Sequence, residues 1–201
     1  MNRKERSLIT KKLLFSTAIK LIKQHGFENI SVSDICKQAN VAKGTFYVHY
    51  QSKEDIIRDS YYLDMNNYII EQFSIYLEKN SQASLYDQIS YFLLLELKFT
   101  NFVGLELTSL AFSINLNQCS KGNSNHFVQR KFSNILLDLI DQGITKKLFI
   151  SSMDKNYIFL YLETMIRGLM ASWCFSNANF DIEKTGFNFI KTQLNSIINK
   201  K

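Results

Sequence analysis

Proline is absent from this chain of 201 residues, and glycine occurs only seven times. Because these two residues break helices most strongly, their scarcity favours a helical chain. The sequence also lacks a run of 18 or more uncharged apolar residues, since its most apolar stretch, residues 89–99, is interrupted by Glu96 and Lys98. We therefore expect no membrane span and no membrane partner. The basic N-terminus is not followed by the apolar core of a signal peptide, which predicts a cytoplasmic location.

Cysteine and histidine are scarce as well, with three residues of each. Cys36, Cys119 and Cys174 are far apart and form no CxxC pair, which predicts buried, reduced thiols in a reducing compartment. The histidines, at positions 25, 49 and 126, are too dispersed for a metal site or a catalytic triad. Phosphate-binding loops, dinucleotide fingerprints, nucleophile elbows and HExxH motifs are missing too. We therefore expect a protein that is not an enzyme and that has no cofactor and no metal.

The charge that is present lies mostly in the N-terminal third. Net charge is +6; residues 1–60 contain 11 Lys/Arg and 6 Asp/Glu, whereas the remaining 141 residues contain 13 and 12. The excess positive charge would attract phosphate groups if nucleic acid is the partner. A lysine-rich solvated face would produce the same imbalance, so charge alone leaves both interpretations open.

Apolar spacing and capping residues predict the N-terminal helices. The first helix covers residues 4–24 and ends at Gly26. Ser31, with Asp34 three positions later, has the pattern of a capping box for a short second helix that stops at Asn40. Asparagine tolerates the left-handed conformation, so a tight turn can follow it.

A third short helix is expected at about residues 43–49, and Ser52, with Asp55 three positions later, marks the start of a fourth, long helix that runs to about residue 79. Beyond residue 80 the pattern predicts five aromatic-rich helices, at about 84–98, 102–116, 125–145, 154–175 and 181–199, with loops at 119–124 and 176–179. The predicted fold is all-α with about nine helices. It consists of a three-helix N-terminal domain over residues 1–52, a connecting helix over 53–79 and a helical C-terminal domain over 80–201.

Two very short helices around a tight turn, followed at once by a capped long helix, indicate a helix-turn-helix centred on residues 32–50. Such short helices need packing to persist. Apolar side chains that can supply this packing are Ile35, Ala39, Val41 and Phe46. Side chains that are left to point outward are Lys43, Thr45, Tyr47 and His49.

The outward side chains all carry hydrogen-bond donors. Lys43 and Thr45 suit base edges, including the thymine methyl group. Tyr47, His49 and Lys53 are spaced to meet phosphate oxygens. Ser33 and the backbone N–H groups that open the second helix could hold another phosphate. Each residue taken singly would more often belong to a solvated helix face, but their combination favours DNA.

The segment resembles the N-terminal signature of the tetracycline-repressor (TetR) family of bacterial regulators. In that signature an apolar residue is followed by two variable positions, Gly, Thr, an apolar residue, Tyr, any residue, His and an aromatic residue; here it reads VAKGTFYVHY at 41–50, followed by Lys53 and Glu54. The Gly-Phe pair at 26–27 also matches, and the resemblance covers residues 8–60. It implies that the third helix enters the major groove. Positions matching the family's usual DNA contacts are Ser31, Ser33, Lys43, Gly44, Thr45, Tyr47, His49 and Lys53.

Two positions depart from the family pattern. Asn40 stands where the family usually has Gly, and Ala42 where it usually has Ser or Thr. The turn survives with Asn40, but Ala42 offers no side-chain cap, and a lost cap costs about 1 kcal/mol. We therefore expect the third helix to fray when DNA is absent.

The resemblance also implies that residues 80–201 bind an effector and form a dimer. Two apolar stripes with small residues would suit a four-helix dimer interface, although each could instead be buried within its own subunit. Residues of the first stripe are Met165, Gly168 and Ser172, and those of the second are Phe187, Ile190 and Leu194.

Charged residues among aromatic ones suggest an effector pocket. Candidate residues are Phe99, Phe112, Glu163, Arg167 and Trp173, although an intrahelical ion pair and core aromatics explain them equally well. The predicted function is a ligand-released repressor that acts as a homodimer on palindromic double-stranded operator DNA and responds to a small-molecule effector of unknown identity. The alternative is a helical adaptor or co-activator with the same fold that works through protein contacts.

Overall fold

The structure is a computed structural model that describes residues 2–122 and 131–199. Within these residues the chain forms nine α-helices and no strand, apart from one isolated bridge between Phe149 and Ile198. The helices are α1 (Arg3–His25), α2 (Val32–Ala39), α3 (Lys43–His49), α4 (Lys53–Lys79), α5 (Leu85–Val103), α6 (Leu105–Ser120), α7 (Lys131–Thr145), α8 (Lys155–Phe175) and α9 (Ile182–Ile197). The predicted all-α class is confirmed.

The chain divides into two compact units, Met1–Tyr62 and Leu63–Lys201. In the first unit α1 packs against α2, and α2 packs against α3. Its core consists of side chains from all four helices, among them Leu14, Ala18, Ile22, Ile35, Phe46, Ile56 and Ile57. Helix α4 begins in this unit and ends in the second.

The predicted helix ends in the first unit are confirmed. The side chain of Ser31 accepts from the N–H of Asp34, and the Asp34 carboxylate accepts from the N–H of Ser31, which is a complete capping box. Asn40 is left-handed, with φ 54° and ψ 47°, and Gly26 ends α1 with φ 77°. Ala42 occupies the N-cap position of α3 and makes no side-chain hydrogen bond to the helix, as predicted.

In the second unit α5 packs against α6, α7, α8 and α9. Helix α9 approaches α5 closely at Gly186, where an added Cβ would lie 2.0 Å from the Leu97 Cδ1 atom on α5. The predicted end of α5 at residue 98 was too early. Phe99 and Thr100 are buried and continue the helix, which ends only where Gly104 takes a positive φ of 86°, so α6 begins later than predicted.

Several predictions for the second unit need correction or lie outside the described residues. Cys119 is exposed on the last turn of α6 and Cys174 is half-buried, so only Cys36 fits the prediction of a buried thiol. Burial raises the pKa of the Cys36 thiol. The predicted start of a helix at residue 125, part of the predicted loop at 119–124, and His126 all fall on residues 123–130, outside the described part of the chain.

Helix α8 is the one described helix that is long and apolar enough to cross a membrane by length and composition alone. A core helix of a soluble protein can pass the same test. One side of α8 is buried in its own unit, with Ile158, Leu162 and Ile166 fully covered, whereas Tyr157 and Leu160 are exposed. Its apolar composition thus serves both a buried and an exposed face.

Candidate nucleic-acid interface

The orientation of α3 is fixed by two aromatic residues one turn apart. Phe46 is fully buried and Tyr50, just past the helix, is almost so, with their ring centroids 5.9 Å apart. Because side chains four positions apart share a helix face, this anchoring turns the opposite face outward. Lys43, Gly44 and Tyr47 are exposed on that face, and the Tyr47 side chain is 58% exposed.

Thr45 and His49 are half-buried, so they flank the exposed face of α3. Val48, which sequence reasoning passed over, is the most exposed hydrophobic side chain of α3, at 78%. An apolar side chain left this open on a short helix can contact a thymine methyl group. The signal was available: with Phe46 and Tyr50 turned inward, helical spacing places position 48 outward.

At the start of α2, the capping interactions constrain two predicted phosphate contacts. The Ser31 hydroxyl donates to the Asp34 carboxylate at 2.6 Å, and this bond lowers the pKa of that carboxyl. A phosphate at Ser31 would therefore have to displace a charged partner. Ser33 is half-buried, and its hydroxyl has no hydrogen-bond partner in the described part of the chain, so it is the more available donor.

Lys53, at the first turn of α4, holds the loop between α1 and α2. Its Nζ donates to the carbonyl oxygens of Phe27 at 2.8 Å and Ile30 at 3.1 Å, and lies 4.3 Å from the centroid of the Phe27 ring. A lysine has three protons to donate. A phosphate contact by Lys53 would use the third proton or replace one of these carbonyls.

Helix α1 is anchored to the end of α3 through Tyr50. The Tyr50 hydroxyl donates to the carbonyl of Lys11 at 3.3 Å, and the Lys11 Nζ lies 5.2 Å from the centroid of the Tyr50 ring. The exposed donors of α3 are therefore presented by a helix whose C-terminal end is fixed from α1, while α4 fixes the loop that leads into α2.

The residues predicted for an effector pocket are largely interior. Glu163 is fully buried, and its Oε2 accepts both Nε and Nη2 of Arg167, at 2.9 and 2.8 Å. Phe99 is buried, and so is Trp173, whose Nε1 donates to the carbonyl of Phe180 at 3.1 Å. Phe112 is half-buried.

The two residues predicted furthest along the α9 stripe need correction. Ile190 and Leu194 are each 1% exposed and belong to the core of their own unit, so they cannot offer a surface to a partner. Alternate turns of α9 were assigned to the wrong face because an amphipathic helix does not reveal which neighbour covers its apolar side. Phe187 is exposed, as a surface residue must be.

The remaining residues of the predicted interface border an open groove along α8 and α9. It has a volume of about 780 Å³ and includes Met165, Gly168 and Ser172. Side chains that sequence reasoning missed complete it, namely Tyr157, Leu160, Tyr161, Phe180 and Phe189. The structure thus gathers an apolar, solvent-facing surface on one side of the second unit. We refer to it as the α8–α9 face.

Comparison with known proteins finds one family model that matches the N-terminal part of the chain and another that matches the C-terminal part. A family model described as bacterial regulatory proteins of the tetR family matches residues 14–59. A second, described as the C-terminal region of MAATS-type transcriptional repressors, matches residues 122–198. The first match includes every residue of α2 and α3.

Individual relatives agree with these matches. The uncharacterized HTH-type transcriptional regulator YuxN of Bacillus subtilis is 31% identical over 120 residues, which span 55% of this chain but only 39% of that protein. The HTH-type transcriptional regulator AcrR of Shigella flexneri is 22% identical over 93% of this chain and 88% of its own length. The crystal structure of the transcriptional regulator FadR from Bacillus subtilis in complex with stearoyl-CoA has a TM-score of 0.62 at 19% identity, covering 91% of this chain and 97% of that one. This last similarity shows a shared fold.

Proposed function

This chain belongs to the TetR family of bacterial regulatory proteins and is a DNA-binding transcriptional regulator, and from this premise we propose that it is a ligand-released repressor that acts in the cytoplasm as a homodimer on a palindromic operator. The observation that carries the proposal is the exposed face of α3, where Lys43, Gly44, Tyr47 and Val48 have no cover while the residues between them anchor the helix.

In this proposal α3 enters the major groove. Lys43 and Thr45 read base edges, with Gly44 allowing close approach of the backbone. Tyr47, His49 and Lys53 contact phosphates, as do Ser31 and Ser33 at the start of α2. The contacts to phosphate position the protein, whereas the contacts to bases give sequence preference.

The α8–α9 face supports a second copy of the chain as the partner. Gly168 and Ser172 are exposed on α8, and a Cβ built on Gly168 would meet no atom within 4 Å beyond its chain neighbours and the backbone of α8, so another helix can approach there. A two-fold dimer formed through this face would join two copies of α3 in one assembly, and an operator read by such a dimer has half-sites about 34–36 Å apart. Burial of Leu160 and Phe189 in the dimer would remove their apolar surface from water.

Effector release would act through α4, because this helix begins in the unit that contains α3 and ends in the other. An effector bound within the second unit would favour a conformer whose two α3 helices are wrongly spaced for the operator. The buried Glu163–Arg167 pair and the predicted residues Phe99, Phe112 and Trp173 remain our candidates for ligand recognition. Stearoyl-CoA, which occupies the related FadR structure, is the first compound to test.

The exposed face of α3, which we call the reading face, is tested by gel-shift titration on the DNA upstream of the coding region. Changing Lys43 and Tyr47 together to Ala is expected to weaken binding at least tenfold, since each good base or phosphate contact contributes about 1–3 kcal/mol. Lys20→Ala, on an exposed position of α1, is the control and should bind like wild type. Unchanged binding by the double variant would show that the reading face is misassigned. Failure of wild type to bind any DNA at low salt would instead favour the helical adaptor that works through protein contacts.

The dimer is tested at Gly168. Gly168→Glu adds a charge to the α8–α9 face without a clash in its own subunit, so it should give a folded monomer in sedimentation velocity. Ser113→Glu, on an exposed position of α6, is the matched control and should remain dimeric. A dimeric Gly168→Glu protein would place the interface elsewhere.

The effector is tested with the wild-type protein. Stearoyl-CoA that binds the native state should raise the melting temperature and release the upstream DNA. A compound that raises the melting temperature while DNA binding stays unchanged would contradict its assignment as the releasing effector.

A further inference from the structure

Helix α1 extends beyond the part of the chain that packs as a helix-turn-helix. Its first buried side chain is Leu14, and the family match also begins at residue 14. Among the described side chains of residues 3–9, none is buried. The first two turns of α1 therefore form an overhang, which packing within the first unit does not require.

The first twelve residues, which include this overhang, hold most of the excess charge of the first unit, and the overhang itself, residues 3–9, has a net charge of +2. Residues 1–12 contain five Lys/Arg and one Asp/Glu, whereas residues 13–60 contain six and five. The single acid, Glu5, is turned back on the backbone, where its carboxylate accepts the N–H of Asn2 at 2.9 Å. In return the Asn2 side chain accepts the N–H of Glu5, so two backbone donors at this helix end are capped.

Among the described side chains of the overhang, Arg3 and Arg6 are the cations, and both are unpaired. The guanidinium groups of Arg3 and Arg6 are exposed and make no hydrogen bond or ion pair with any other described residue. Helical spacing places both on the flank of α1 that continues into Thr10 and Leu14, the side that faces the helix-turn-helix. The exposed apolar residues Leu8 and Ile9 lie on other flanks, whereas Leu13, seven positions after Arg6, shares the side of α1 on which Arg6 lies.

The distance of these arginines from α3 can be derived from the Tyr50 contact. Tyr50 follows α3 directly and holds α1 at the carbonyl of Lys11. With a rise of 1.5 Å per residue, Arg6 lies about 7.5 Å and Arg3 about 12 Å further along α1. On B-DNA, where each strand advances 3.4 Å per nucleotide, these distances correspond to about two to four base pairs.

We propose that the overhang of α1 is a second DNA contact, in which Arg3 and Arg6 bind phosphates of the base pairs that flank those read by α3. The proposal rests on the proposed function. Charge complementarity selects DNA as the occupant, because guanidinium groups bind phosphate bidentately and the only acid of the segment is engaged elsewhere. The contact adds affinity and salt dependence without adding sequence preference.

The test compares two double variants of the full-length protein on duplexes from the upstream DNA. Arg3→Gln with Arg6→Gln removes the proposed contact, and Lys20→Gln with Lys23→Gln removes the same charge from exposed positions at the other end of α1. The slope of log affinity against log salt should fall by about two per subunit in the arginine variant and by less than one in the lysine variant. Circular dichroism should be unchanged in both, since all four side chains are exposed.

Duplex length gives an independent readout. The DNA segment that wild type protects from nuclease digestion is first mapped. Trimming four base pairs from each end of this protected segment should weaken DNA binding by wild type about tenfold or more and leave binding by the arginine variant unaffected. Equal slopes for the two variants, or equal sensitivity to trimming, would overturn the proposal. A change in oligomeric state of Leu8→Gln with Ile9→Gln, together with equal slopes, would assign the overhang to a protein partner. Absence of any DNA binding by wild type would overturn the proposed function first.

Discussion

The two units of this protein are stabilised in different ways. In the first, helices of eight and seven residues are held by individual polar contacts, including the Ser31–Asp34 capping box and the Lys53 clamp on two carbonyls. In the second, helices of 15 to 21 residues pack through aromatic clusters, such as the T-shaped pair of Phe73 and Phe92 with centroids 5.3 Å apart. The proposed DNA-binding face thus depends on a few local hydrogen bonds in addition to its own apolar core, whereas the larger unit depends mainly on buried apolar surface.

This difference predicts where substitutions will be most costly. A deleted core side chain loses both transfer free energy and packing, whereas a deleted cap loses about one hydrogen bond. The second unit should therefore be most sensitive to truncation of large buried residues. The stability of the first unit should instead change with small substitutions at its caps and at Lys53. These substitutions should also change the affinity for DNA.

The largest effect is expected for Phe92→Ala. Phe92 is fully buried on α5 and contacts Phe73 and Phe132, so its truncation should lower the free energy of unfolding by about 3–5 kcal/mol. Urea denaturation followed by circular dichroism measures this loss. Phe175→Ala, at a position that is 89% exposed, should change stability by less than about 0.5 kcal/mol. Similar losses for the two variants would contradict the packing of α5.

The same contrast explains which features were predictable from sequence. Caps and turns are read from a few neighbouring residues, so Gly26, the Ser31–Asp34 box and Asn40 were placed correctly before the structure was known. Faces of long helices are set by distant neighbours. Ile190 and Leu194 were therefore assigned to a surface although they are buried, and the groove residues Leu160 and Phe189 were missed.

An intermediate effect is expected for Lys53→Met, which keeps the aliphatic stem but removes the ammonium group. Loss of its two bonds to carbonyl oxygens should lower the free energy of unfolding by about 2–3 kcal/mol, whereas exposed Lys20→Met should have almost no effect. Urea denaturation again provides the measurement. An unchanged stability would show that the clamp is dispensable and would weaken the contrast between the units.

DNA binding by Lys53→Met separates two roles of this residue. If Lys53 also contacts a phosphate, the slope of log affinity against log salt should fall by about one per subunit. If it acts only as a clamp, affinity should fall while the slope stays constant.

The smallest effect is expected for Ala42→Ser. This substitution tests whether a single cap limits the stability of α3 in the first unit. Ala42 has the extended backbone of an N-cap, with φ −70° and ψ 148°, so a serine hydroxyl there could accept the N–H of Gly44 or Thr45. The added cap should stabilise α3 by about 1 kcal/mol and should increase the protection of the Gly44 and Thr45 amides against hydrogen exchange. Ala42→Val, the control, should not increase protection, because valine adds no acceptor and is as poor an N-cap residue as alanine. If α3 frays before it binds, Ala42→Ser should also tighten DNA binding by up to about fivefold, since less ordering then accompanies association. Greater protection with unchanged affinity would show that α3 is already ordered before DNA arrives.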